Sequence, residues 1–264
     1  MSGFIDFHTH AFPDRIAASA IPVLEKEGNI KALHNGTVAA LLASMDSSEI
    51  ERSVICSIAT KPEQSPHILK WSRSIRSDRI IPFPSVHPRD PNLLEQVRII
   101  AEEGFLGIKM HSYYQDYRLD DPSLDDFHRL MSELGLILVI HAGYDIAYPR
   151  VRLADPIKIA AVCGKFPQLK LIATHLGGWD EWDDVETEIC GKPIYMELSF
   201  AVDELAPERL RRILLAHPPE YLLFGSDSPW TDPKASLARL AGLELAQELF
   251  KKITRRNAQK LLGG

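Results

Sequence analysis

Cysteine is scarce in this 264-residue chain. Cys56, Cys163 and Cys190 stand far apart without CxxC spacing, which argues against a disulfide framework or a thiolate–zinc module and fits a reducing compartment. Long apolar runs are missing too. None approaches the ~18 residues of a membrane-spanning helix, and no basic-then-apolar leader opens the sequence. The expectation is a cytoplasmic protein with no membrane partner. Positive charge is also short: 30 Lys and Arg against 36 Asp and Glu leave a net charge of −6. The basic runs Arg209, Arg211, Arg212 and Lys251, Lys252, Arg255, Arg256 fall in helix-like segments, where they read as solvated faces. No nucleic-acid partner is expected.

What is present is a repeated alternation. Eight short apolar runs, FIDFHTH (4–10), SVICSIA (53–59), IIPFPSV (80–86), FLGIKMH (105–111), LILVIHA (136–142), LKLIATH (169–175), PIYMELSF (193–200) and YLLFGSD (221–227), are separated by helix-like sequence. Each run is too short for a helix and is bounded by Gly, Pro or charge. Near-continuous hydrophobicity marks strands covered on both faces, as in parallel sheets. The helix-like stretches carry start and stop signals: Asp121-Pro122 with Gly135, and Asp155-Pro156. A helix is expected near 37–51, while residues 11–36 form a longer first connection. Most strand starts recur every ~25–35 residues, one βα unit. No linker or low-complexity segment interrupts the series. The expectation is one domain over 1–264, an α/β protein with the (β/α)8 TIM-barrel fold; a doubly wound open sheet is the alternative.

In such a barrel, chemistry belongs at the C-terminal strand ends. His8 and His10 close strand 1, Lys109 and His111 strand 4, His141 strand 5, His175 strand 6 and Asp227 strand 8. Positions two apart share a strand face, so Asp6, His8 and His10 are expected to point one way. Any one of these has a dull explanation as a hydrogen-bonded structural residue. Their joint placement at one barrel mouth points to a site. Imidazole nitrogen and carboxylate oxygen suit a borderline divalent ion, zinc first, with manganese, iron or cobalt as alternatives. The His8–His10 pair reads as half of a metal site. His34, His67 and His128 are expected on the exterior.

The ordered set DFHTH, IHAG, THLGG and FGSDSPW resembles the amidohydrolase superfamily, in the branch that includes aminocarboxymuconate semialdehyde decarboxylase and resorcylate decarboxylases. The resemblance spans roughly residues 3–262. It implies that His8, His10, His141 and Asp227 bind the metal, and that Asp227 also takes a proton from water. It implies that His175 acts as acid or base, or binds a second ion. Where two-metal relatives carry a carboxylated lysine or a glutamate on strand 4, this chain has Lys109 and His111. An unmodified Lys109 would hold a substrate carboxylate or polarise a carbonyl; a carboxylated one would bridge two ions. The expected reaction is hydrolysis of an amide, lactone or ester of a small, carboxylate-bearing molecule, with non-oxidative decarboxylation of an aromatic or unsaturated acid as the alternative. His111, Tyr114, Arg150 and Trp230 are the expected substrate contacts, with Arg152 beside Arg150. A homo-oligomer is compatible with all of this.

Overall fold

The computed structural model describes residues 3–263. All eight expected strands form: β1 (Phe4–Thr9), β2 (Ile50–Cys56), β3 (Ile80–Phe83), β4 (Gly107–Met110), β5 (Ile137–Ile140), β6 (Lys170–Ala173), β7 (Tyr195–Glu197) and β8 (Leu222–Leu223). They are parallel and consecutive, β1–β2–β3 in one sheet and β4 to β8 in another. Backbone hydrogen bonds join the sheets at both seams. At one, Lys109 N–H donates to Pro84 O at 2.9 Å; at the other, Phe7 N–H donates to Phe224 O at 2.9 Å and Asp227 N–H to His8 O at 2.7 Å. Pro82 and Pro84 lack the N–H that a ladder on the β3 side needs, which thins the first seam. The result is a closed (β/α)8 barrel, and an open doubly wound sheet is excluded.

The helices follow their sequence signals. Thr37 caps helix α2 (Val38–Ser47) by accepting from Ala40 N–H, and Asp155 caps Pro156–Lys165 by accepting from Ile157 and Lys158 N–H. Gly135 takes the left-handed backbone after the helix Asp125–Glu133. The first connection holds an element the sequence did not announce: helix α1 (Asp14–Gly28), fifteen residues long with Pro22 inside it.

Two apolar clusters account for the packing. The larger joins the outward faces of the strands to the helices, through Ile55, Ile108, Leu138, Leu171, Met196 and their helical partners. The smaller gathers Ile5, Phe7, Val54, Phe83, Val139, Ile172 and Leu223 from strands all round the ring, so it is the packed barrel interior. Polar side chains sit above this plug, at the C-terminal ends of the strands.

Candidate metal centre

Three ligand atoms from the two ends of the chain meet at this mouth. His10 Nε2 lies 2.8 Å from Asp227 Oδ1, and His8 Nε2 lies 3.5 Å from the same oxygen. The β1–β8 seam holds them there, since His10 N–H also donates to Ser228 O at 2.6 Å. Asp227 and His175 both adopt left-handed backbone, φ 61° and 56°, a conformation that non-glycine residues hold only where the surroundings impose it. Asp6 does not join the trio. The β1 pairing register shifts between Asp6 and Thr9, so strict alternation fails there. Asp6 instead accepts from Ser226 N–H, Ser226 Oγ–H and His8 N–H, bracing the β8 turn.

The hydrogen-bond partners dictate where the imidazole protons lie. His10 Nδ1 is 2.8 Å from Cys56 O, which can only accept, so Nδ1 carries the proton and Nε2 a lone pair. His8 Nδ1 donates to Glu197 Oε1 at 2.9 Å, leaving a second lone pair on its Nε2. Asp227 Oδ1 is buried and accepts no hydrogen bond. Three electron-rich atoms thus face one another in a dry site, an arrangement that a cation between them would satisfy. The donors, two imidazole nitrogens and a carboxylate oxygen, fit a divalent transition ion.

His141 stands outside this trio. Its Nε2 donates to Tyr144 O at 2.8 Å, and its Nδ1 faces His175 Nε2 at 3.0 Å. His175 Nδ1 lies 2.9 Å from Ser199 Oγ, whose own proton goes to Glu197 Oε1 at 2.6 Å. His175 therefore also turns a lone pair towards His141. This second facing pair can share a proton or a cation. The cluster of His111, His141 and Asp145 is of another kind. His111 Nδ1 accepts from Tyr114 N–H and its Nε2 approaches Asp145 Oδ2 at 3.4 Å, while the His111 and His141 rings stack at 4.1 Å. Nitrogens that carry protons towards the carboxylate make this a hydrogen-bonded brace.

Burial works against charge throughout the site. It depresses His8, His141 and, most strongly, His111, and lowers His175 to about 3 with help from His141, so these rings are neutral near pH 7. Burial would raise Glu197 and Asp227, but their neighbours outweigh it. His8, His175 and Ser199 hold Glu197 at about 2; His8, His10 and His175 hold Asp227 well below the usual carboxylate range. Lys109 is buried, its Nζ 3.4 Å from His8 Nε2, and desolvation lowers its pKa. Burial pushes the Cys56 thiol up to about 12, which removes it as a nucleophile.

All of these groups except Glu197 and Ser199 line one end of a cavity of about 630 Å³. His111, Tyr114 and Trp230 line it as well, where the sequence placed them. Arg150 does not. It pairs with Asp180 and lies over the Tyr144 ring, 4.8 Å from its centroid, and Arg152 binds Glu181 and Asp184. Carboxylates of the loop after β6 and of the first turn of the helix Trp182–Glu188 pair with both guanidinium groups outside the cavity. His128 is a second correction. It is 1% exposed, because its ring packs with those of Phe127 and of Phe166, the residue that ends the helix Pro156–Lys165. His67 is exposed as expected, though at the cavity rim, and His34 is half-buried with Nε2 3.0 Å from Ser228 Oγ. Sequence reasoning passed over Glu197, Ser199, Asp145 and helix α1. The available signal for Glu197 was a carboxylate inside an otherwise apolar strand, YMELSF. Gly225 makes its room: a Cβ there would lie 2.1 Å from Glu197 Oε2.

The family described as Amidohydrolase matches residues 5–264 of the chain. No curated protein matches it in sequence. Among solved structures it is similar to an uncharacterised TIM-barrel protein from Bordetella bronchiseptica, at 15% identity over 98% of both chains, with a TM-score of 0.79. It is similar to 2,6-dihydroxybenzoate decarboxylase from Rhizobium, at 16% identity over 100% of this chain and 99% of that one, with a TM-score of 0.71. A putative 2-pyrone-4,6-dicarboxylic acid hydrolase from Pseudomonas putida aligns at 14% identity over 100% and 98%, with a TM-score of 0.68. At such identities these likenesses show the shared fold.

Proposed function

Since the chain belongs to the Amidohydrolase family, an enzymatic family of both hydrolases and decarboxylases, we propose that it hydrolyses an amide, lactone or ester bond of a small molecule with the help of a divalent ion, zinc first. His8, His10 and Asp227 hold the ion, with His141 and His175 close enough to contribute or to take a second one. The observation that carries this reading is Asp227 Oδ1, buried without a hydrogen-bond partner among imidazole lone pairs. When bound, such an ion lowers the pKa of water to about 7 and polarises a carbonyl.

The chain's own residues supply the rest. Asp227, kept ionised, accepts the proton of the attacking water and passes it to the leaving group. His175, neutral, faces His141 with its Nε2, and that pair can share a proton beside the reacting group. Lys109 faces the same space and pairs with negative charge on the substrate head or on the attacked oxygen. Glu197 fixes the orientation of His8, and through Ser199 that of His175. The test is a metal-loaded protein screened against small lactones, esters and amides, with Asp227→Asn as control. Turnover that survives this substitution overturns the assignment.

A second reading, decarboxylation, draws on the apolar walls around the polar end. A carboxylate carried past them loses hydration, and a proton delivered to the carbon that bears it takes up the electron pair left behind when carbon dioxide departs. Incorporation of oxygen from labelled water supports hydrolysis; release of carbon dioxide without it supports decarboxylation. The substrate in either case is a small molecule. Among the described residues no helix is long and apolar enough to cross a membrane.

A further inference from the structure

Helix α1 has two apolar faces, and only one of them packs on protein. Ala17 and Ile21 are buried, Ile21 against Gly36. Ile16, Ala20 and Val23, at helical spacing on another face, line the cavity instead, and Ile16 and Val23 remain 46% and 52% exposed. Ile146, 43% exposed, closes towards this face from the loop after β5, against Gly28. Ile58, Ile68 and Trp71 form more of the wall. Apolar side chains concentrated round a cavity and left uncovered by protein mark a ligand surface.

The charge distribution is as informative. Lys109 is the only lysine or arginine lining the cavity among the described residues, and it sits at the inner end with the histidines and Asp227. The arginines that could have received a second anion are tied to Asp180, Glu181 and Asp184 outside. About 630 Å³ falls within the ~300–1,000 Å³ of pockets that enclose drug-sized ligands, so the reacting group fills only the inner end.

We propose that the cavity selects a two-part substrate: one acidic or carbonyl head at the histidine–lysine end, and an uncharged apolar body, of the size of a second ring, laid against the Ile16–Ala20–Val23 face of α1. The placing of the head rests on the metal-centre reading above; the apolar arm rests on α1 and the charge distribution. A second carboxylate on the body is rejected, because it would lie against apolar side chains with no lysine or arginine to meet it.

The test is calorimetric titration of the zinc-loaded protein with benzoate, biphenyl-4-carboxylate and biphenyl-4,4′-dicarboxylate. The expected result is that biphenyl-4-carboxylate binds about tenfold or more tighter than benzoate, and that the second carboxylate cancels the gain. Val23→Asp should collapse the ratio of the first two affinities to roughly threefold or less, while Val23→Leu should keep it. Position 23 is exposed, and circular dichroism checks that both variants fold. Equal affinities for the three probes, tightest binding of the dicarboxylate, an unaltered ratio in Val23→Asp, or no binding at all overturns the proposal. Discrimination among the probes without turnover of any ester, lactone or amide would leave the ligand class standing and count against hydrolysis alone.

Discussion

His8 and Glu197 form a buried carboxylate–histidine pair, with Nδ1 2.9 Å from Oε1. The same oxygen accepts from the His175 backbone N–H at 2.9 Å and from Ser199 Oγ–H, so one carboxylate from β7 sets the direction of two imidazoles from β1 and β6. Such pairing fixes the tautomer of a ligating histidine and raises its basicity.

Removing that carboxylate should weaken metal binding without touching a ligand. Glu197→Ala is expected to lower zinc affinity by about 10- to 100-fold, read by competition with a chromophoric chelator. Unchanged affinity would mean that His8 is held by something else.

Asp227→Asn keeps size and shape but removes the proton acceptor. Turnover should fall by about 10²- to 10⁴-fold, with the fold retained and the thermal midpoint of the metal-free protein somewhat below that of the parent, since the site favours the ionised carboxylate. Steady-state kinetics and a melting curve are the two measurements. Loss of fold together with activity would contradict the catalytic role.

Much of this architecture was legible because its physics is local. The eight strands announce themselves as apolar runs, and HTH, IHAG and GSD fall at strand ends where the barrel gathers them. Helix α1 escaped because Pro22 reads as a breaker, while tertiary packing of Ala17 and Ile21 carries the helix through it. Glu197 escaped because its partners, His8, His175 and Ser199, come from distant parts of the chain and no spacing encodes them. Arg150 misled for the opposite reason. Its residue type suits an anion, but which anion it meets depends on a loop path that brings Asp180 to it first.

That difference gives a contrast between two cations. Arg150→Ala should change KM for an acidic substrate by less than about twofold, as expected for an exposed ion pair. Lys109→Met should lower kcat/KM by about 10²-fold, the range for losing a buried charge-stabilising donor. A large effect at Arg150 would place the substrate head in the outer cleft.

His128 offers a test of stability away from the metal. Burial lowers it from 6.5 to about 4, and neither ring nitrogen has a hydrogen-bond partner. The folded state thus binds fewer protons than the unfolded one below pH 6.5, and the stability tied to the neutral ring is lost as pH falls from there towards 4. At pH 5 the loss is about 2 kcal/mol. His128→Leu should shrink the drop in unfolding free energy between pH 8 and pH 5 by about that amount, measured by urea denaturation. An identical drop in the variant would contradict the assignment.

His8, His10 and Asp227, from distant parts of the chain, are proposed to share one cation. Crystals of the zinc-loaded protein measured on either side of the zinc absorption edge test it directly. The expected result is an anomalous peak in contact with His8 Nε2, His10 Nε2 and an Asp227 carboxylate oxygen. Stoichiometric zinc in the protein with no peak at that point would contradict it.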